Sequence, residues 1–429
     1  MEPQVTFSII FLVVILLLIS EVEHRALVAM LAALLSVYFG TSYNLFSFHD
    51  LPEMMELDVV MFITCVLILF DAIGRSGLFD FIGLSLVKKV GKRPTLIVLM
   101  LILLTTIFSG ISTNIMVVLL VGGITLKVAD MLKLDGKKII LLECSQTDVG
   151  GLLLPISSIP ALIIVTKTRM SFFEYVKVSI PLVILSTIVA LIYTKFLNLT
   201  KTGTGTYKEE TLDPWSAVKN PTALYRSFII FFCFLCSITL YDRIGLPPSY
   251  LAFFFATLTF LLSGLNPDEI FRNVDWSIPF FVGGFFIFIG GLERSGVLDQ
   301  IAHVIAPLIL NTNILIGAPL LLLFCALVSA VIDNVPVVLF LYPIVRDIAM
   351  QVGMSPQPFY WALIIGGNLG GRITTFGSPS VLTGVRMLER AGEEVSLKEY
   401  VKIGLPLALS QILLGMAYLS LLTFFGVIK

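Results

Sequence analysis

Charge is scarce in this chain: Asp, Glu, Lys and Arg make up 13% of its 429 residues and nearly cancel, to a net charge of −1. That balance gives no support to an extended nucleic-acid surface, so nucleic acid is not an expected partner. Histidine is scarcer still. His24, His49 and His303 lie far apart, near expected interfaces, with no metal-ligand spacing, and read as surface residues. Five cysteines, Cys65, Cys144, Cys233, Cys236 and Cys325, all fall in apolar runs and read as small core hydrophobes without a disulfide framework. Cys233 and Cys236 form a CxxC, but inside a spanning segment with no His or further Cys beside it, which argues against a metal or redox role. No nucleophile sits beside a base, so a membrane-embedded enzyme is the least favoured class, and no metal or organic cofactor is expected. The N-terminus has neither a basic leader nor a small-residue cleavage pattern, and reads as a retained first span.

What is present is hydrocarbon. With 57% hydrophobic residues and a mean hydropathy of +0.99, this is an all-α polytopic membrane protein. Apolar segments of spanning length run at about 5–20, 24–40, 58–74, 139–166, 172–195, 225–241, 248–264, 276–292, 358–388 and 401–426. Two further stretches, 94–129 and 313–349, are apolar pairs joined at a polar point, Ile111 to Asn114 and Ile332 to Asn334. Periodicity alone does not separate two full spans from one re-entrant hairpin. Hairpins are favoured because Ala330, Val331, Ile332 and Val335 around the second polar point make a poor loop in water.

Basic residues give the orientation. With the N-terminus outside, 20 of the 28 Lys and Arg fall on the inner side and seven on the outer, with Arg372 in an interrupted segment. Both termini are therefore expected outside a plasma (inner) membrane. The one long hydrophilic stretch, around 198–222, then reads as a flexible inner linker between 1–197 and 223–429.

Those two parts repeat. Arg75, Ser76, Gly77 and Asp80 match Arg294, Ser295, Gly296 and Asp299, all four charged residues reading as interfacial caps. Ser109 and Asn114 match Ser329 and Asn334; Gly150, Gly151 and Ser158 match Gly370, Gly371 and Ser378; the stretch from Ser171 matches that from Ser396. With hairpins uncounted, each half has five spans, and an odd number makes the second half enter the membrane upside down. Two inverted-topology repeats, each with a re-entrant hairpin and a broken helix, place a solute site near the midplane.

A carboxylate at that depth costs roughly 2.5–3.5 kcal/mol on the lenient insertion scale, so Asp333 calls for an explanation beyond scaffolding. The first hairpin tip offers Ser112, Thr113 and Asn114, and its broken segment offers Asp148, Gly150, Gly151, Ser157 and Ser158. The second tip offers Asp333 and Asn334, and its break offers Asn368, Gly370, Gly371, Arg372, Thr374, Thr375, Gly377 and Ser378. Hydroxyls, amides and freed carbonyls suit small oxygen-rich solutes and hard cations, while each of Ser157, Ser158, Thr374 and Thr375 serves equally to satisfy a broken helix end. Asp333, Asp148 and Arg372 are the proton-coupling candidates. Arg372 is expected to pair with Asp333 where a sodium-coupled relative would hold Na+, and Glu143 and Asp148 are expected nearer a wet surface.

These residues resemble the ion transporter superfamily, which includes arsenite-efflux permeases, NhaD-type sodium/proton antiporters, the P protein and dicarboxylate symporters. Asn368 to Ser378, NLGGRITTFGS, is similar to the arsenite-permease pattern, with Arg372 at its basic position. The first tip lacks the usual Thr-Pro, and the acid at Asp333 is closer to the sodium/proton antiporters. The resemblance implies export of arsenite or antimonite, small inorganic solutes, in exchange for protons. It also implies a soluble ATPase partner at the cytoplasmic face; the lipid bilayer and a second copy of the chain are the other expected partners. Na+ or Li+ exchange, another small-anion permease and a passive channel are the alternatives.

Overall fold

The computed structural model describes residues 2–20, 22–90, 93–199, 213–218, 220–310, 313–352, 354–375 and 377–428. Most of the expected linker lies outside these residues. The first half runs α1 (Pro3–Ser20), α2 (Arg25–Ser42), α3 (Leu51–Met54), α4 (Leu57–Arg75), α5 (Leu78–Val90), α6 (Pro94–Ser109), α7 (Asn114–Leu132), α8 (Gly136–Gly150), α9 (Ile159–Thr168) and α10 (Phe172–Phe196). The second runs α11 (Pro221–Thr239), α12 (Tyr241–Ile244), α13 (Pro248–Leu262), α14 (Pro267–Asn273), α15 (Ser277–Arg294), α16 (Val297–Leu310), α17 (Ile314–Ser329), α18 (Asn334–Val352), α19 (Gln357–Gly370), α20 (Pro379–Arg390) and α21 (Leu397–Phe424). Among the described residues eight helices are long and apolar enough to cross a membrane, and there is no strand.

Local chemistry sets the ends. Ser171 and Glu174 close a reciprocal cap at the start of α10, and Ser396 Oγ accepts from the Glu399 N–H at the start of α21, 3.2 Å away. α8 stops at Gly150, and α9 resumes at Ile159 with Ser158 as its cap and Pro160 in its first turn. α19 stops at Gly370, and α20 resumes at Pro379. Carbonyls freed by the breaks find partners from the following helix. Tyr175 Oη donates to Leu152 O at 3.0 Å, and Tyr400 Oη donates to Arg372 O at 2.7 Å, the same bond at the same place in each half. Ser109 Oγ to Thr147 O and Ser329 Oγ to Gly367 O, from the helices that precede the breaks, form a second recurring pair, at 2.7 and 2.9 Å.

The halves interlock. α2 packs along α15 as α4 packs along α13, and α10 meets α21. α6 with α8 and α17 with α19 approach so closely that a Cβ on Gly150 would lie 2.4 Å from Thr106 O, and one on Gly370 2.2 Å from Ala326 O. Those glycines therefore serve helix packing.

Two expectations change here. α5 and α16 form helices in stretches not counted among the spans, while Arg75 and Arg294 close the helices before them, at helix ends as expected. There the arginines pair with acids: Arg75 Nε lies 2.6 Å from Asp71 and Arg294 Nη1 lies 3.4 Å from Asp50. Cys233 and Cys236 are exposed on α11, whereas Cys65, Cys144 and Cys325 are buried. A helix at the rim of a bundle presents its apolar side chains to lipid, so apolar surroundings in sequence do not imply a protein core. The three histidines are exposed as expected.

Candidate functional site

The two tips and the two breaks converge on one cavity of about 110 Å³. Thr113, Asn114, Asp148, Ser157, Ser158, Asp333, Asn334, Asn368 and Ser378 all line it, as do Arg25, Ser380 and apolar side chains of α4 including Phe70. Pockets for drug-sized ligands run to roughly 300–1,000 Å³, so this one suits a small solute.

Its walls are tied together across the halves. Asp148 Oδ1 accepts from Asn114 Nδ2 at 2.8 Å and from Ser378 Oγ at 3.2 Å, joining the first tip, the first break and the second break. Ser158 Oγ donates to Asn368 Oδ1 at 2.8 Å, and Asn368 Nδ2 donates to Ile364 O at 2.8 Å. Ser378 and Ser380 share a hydroxyl bond of 2.8 Å. Asp148 Oδ2 has no partner among the described residues although Asp148 is 1% exposed.

Two electrostatic expectations are corrected. Asp333 pairs with Arg25, from the first residue of α2, and not with Arg372. Arg372 lies outside the lining and fully buried. Its Nη1 donates to Ser145 O at 3.0 Å and its Nε to Leu369 O at 3.2 Å, and it forms no ion pair among the described residues. The geometric reason is register: Arg372 follows α19 by two residues and points back toward α8, whereas the second tip meets the start of α2. Burial is also opposite to expectation. Glu143 and Asp148 are each 1% exposed, but the Asp333 side chain is 17% exposed within the cavity.

The remaining expected residues sit behind the lining. Ser112 Oγ donates to Met116 Sδ, Thr374 Oγ1 donates to Ala330 O at 2.6 Å, and Thr375 is buried. Gly151 is near Asn114 Oδ1, and Gly371 and Gly377 stand backbone to backbone, each leaving no room for a Cβ on the other. Arg25 is the charged lining residue that sequence reasoning missed. It was visible as a lone cation one position from a span's start, where a long side chain reaches inward.

A second, wider cavity of about 800 Å³ lies at the starts of α4 and α13 and the end of α9, lined by Glu56, Asp58, Lys167, Arg169 and Ser249. Ile156 and Leu162 line both cavities and separate them. Lys167 and Glu56 form an ion pair there.

The sequence model of the family described as citrate transporter (CitMHS) matches residues 15–366 and 319–426. An uncharacterized transporter of Mycobacterium tuberculosis is 25% identical over 418 residues, covering 96% of this chain and 97% of its own length. The arsenical pump membrane protein of Escherichia coli is 24% identical over 374 residues, 83% of this chain and 84% of its own. Among solved structures, the Alcanivorax borkumensis YdaH transporter superposes with a TM-score of 0.65 over 94% of this chain and 99% of its own, at 14% identity. That similarity is one of fold.

Proposed function

The chain belongs to the citrate transporter (CitMHS) family, and from that premise we propose that it exports arsenite or antimonite, as neutral hydroxides, in exchange for protons. The observation that carries the reading is the charge of the cavity. Two carboxylates, Asp148 and Asp333, face one guanidinium, Arg25, so a single proton makes the lining neutral. A neutral hydroxylated solute then binds by hydrogen bonds to Asn114, Asn368, Ser158 and Ser378, and the proton travels in the opposite half of the cycle. A bare citrate trianion, in contrast, meets acids that outnumber the one arginine and needs accompanying cations. The relative's name, arsenical pump membrane protein, agrees with the smaller solute.

Recurring helices and hydrogen bonds support two halves, 1–197 and 223–429, inverted in the inner membrane with α6–α7 and α17–α18 as re-entrant hairpins and both termini outside. On that reading the wide cavity is the outer vestibule. A soluble ATPase subunit at the inner face and a homodimer go with the same proposal.

The test is arsenite uptake into everted vesicles with a proton gradient imposed or collapsed. Accumulation that requires the gradient and is lost in Asp333→Ala is the expected result. The second reading is Na+ or Li+ exchange for protons, favoured by the excess of acids in the lining. It prevails if arsenite is inert while sodium or lithium dissipates the gradient. Equilibration without accumulation would mean a channel.

A further inference from the structure

α8 carries a second buried acid that the cavity does not use. Glu143 is 1% exposed, its Oε1 accepts from Thr125 Oγ1 on α7 at 2.6 Å, and its Oε2 has no partner among the described residues. It stands one and a half turns before Asp148 on the same helix, and both acids bond to α7: Asp148 to Asn114, Glu143 to Thr125.

The repeat supplies an internal control. α7 and α18 are both 19 residues long and start 220 positions apart, and α8 and α19 end 220 positions apart. Thr125 and Glu143 therefore correspond to Val345 and Leu363, and both of those are fully buried. The corresponding positions hold two buried hydrocarbon side chains in one half and a bonded hydroxyl and acid in the other. An acid in a membrane interior where the fold accepts leucine has a cost that packing does not explain.

No cation among the described residues pairs with it. α8 contributes Lys137, Lys138, Cys144 and Asp148; α7 contributes Lys127 and Asp130; α6 contributes no ionisable residue. α10 brings Glu174, Tyr175, Lys177, Tyr193 and Lys195, α19 brings Tyr360 with Arg372 after it, α20 brings Arg386, Glu389 and Arg390, and α21 brings Lys398, Glu399, Tyr400, Lys402 and Tyr418. None of these bonds to Glu143; the buried Arg372 donates Nε and Nη1 to Leu369 O and Ser145 O, and its Nη2 has no partner among the described residues.

We propose that Glu143, with Thr125, is a proton-binding site separate from the substrate cavity that carries one coupling proton per transport cycle. The carboxylate takes a proton from hydronium, leaving water and a neutral acid that can sit in the α7–α8 seam; the seam must open to water for the proton to leave. This rests on the reading of the protein as a proton-coupled arsenite transporter.

Infrared spectra of the purified protein in liposomes, across a pH series, read the protonated carboxyl directly and need no substrate. The expected result is a buried carboxylic-acid carbonyl band that is absent from Glu143→Gln and from the T125V/E143L double variant. That double variant recreates the second half's own contact and is expected to fold. Arsenite accumulation driven by a 100 mV proton-motive force gives the second readout. Loss of one coupled proton lowers its ceiling about 50-fold. A band unchanged in Glu143→Gln overturns the proposal, and so does a lost band with an unchanged accumulation ceiling, which makes the acid merely structural. If wild-type vesicles do not accumulate arsenite, the transport reading fails, while the infrared result still decides whether Glu143 holds a proton.

Discussion

Replacing Arg25 with methionine keeps most of the side chain's length and removes its charge, leaving Asp333 alone in the cavity. At an effective dielectric of about 20, two unit charges roughly 4 Å apart attract by about 4 kcal/mol. Desolvation and side-chain ordering return most of that. Because the two side chains are 27% and 17% exposed, the pair lies between a surface bridge and a buried one. A net loss of about 1–2 kcal/mol is expected, with D333N costing a similar amount. The double variant R25M/D333N removes both charges and should recover most of the loss, giving a coupling energy of about 1–2 kcal/mol by thermal unfolding of the detergent-purified protein. Function should follow. With Arg25 gone, Asp333 must take its counter-charge from solution, so transport by R25M should gain a dependence on sodium or on lower pH that the wild type lacks. Additive losses within about 0.3 kcal/mol, together with an unchanged ion dependence, would refute the assignment of Arg25 as the counter-ion.

D148N keeps an oxygen that can accept from Asn114 and Ser378, so stability should change by no more than about 1 kcal/mol while gradient-driven arsenite accumulation is lost. G370A places a Cβ 2.2 Å from Ala326 O and 2.5 Å from Ala326 Cα, and should lower stability by about 1–3 kcal/mol in the same unfolding assay. A C233S/C236S variant should transport as the wild type does, because both side chains are exposed on α11 and neither lines the cavity. At the surface, the Ser47 N–H, 2.7 Å from Asp50 Oδ2, holds that carboxyl below its ordinary value of 3.8. Its cap is therefore complete at neutral pH and lost as pH falls from that value through the lowered one, measurable as faster amide exchange at residues 47–50.

Hydropathy and the repeat made the broken helices and both polar tips legible before any coordinates, because a polar residue in an apolar run costs enough to stand out. Asn114, Asp148, Asp333 and Asn368 were all found this way and meet in one cavity. α5 and α16 were not found, since their charged ends and short lengths read as loops once spanning segments were set apart. The partner of Asp333 was misassigned for a different reason. Arg372 and Arg25 are both within reach in sequence-order reasoning, and only the meeting of the second tip with the start of α2 decides between them. The depth of Glu143 was hidden by its neighbours, because Lys137 and Lys138 at the start of α8 suggest water while the helix runs inward from them.

The thin wall of Ile156 and Leu162 separates spaces of very unequal size, about 800 and 110 Å³. On the proposed export reading cargo leaves through that wall, and a compound arriving from the wide side is stopped by size there and not at the mouth. A hydroxylated compound too large for the inner cavity can still enter the outer one and rest against Lys167, Arg169 and the two aliphatic side chains. Such a molecule acts as a plug, so the chemistry that makes a good blocker differs from the chemistry that makes a good cargo. Side-chain volume at positions 156 and 162 then sets resistance to the blocker independently of transport.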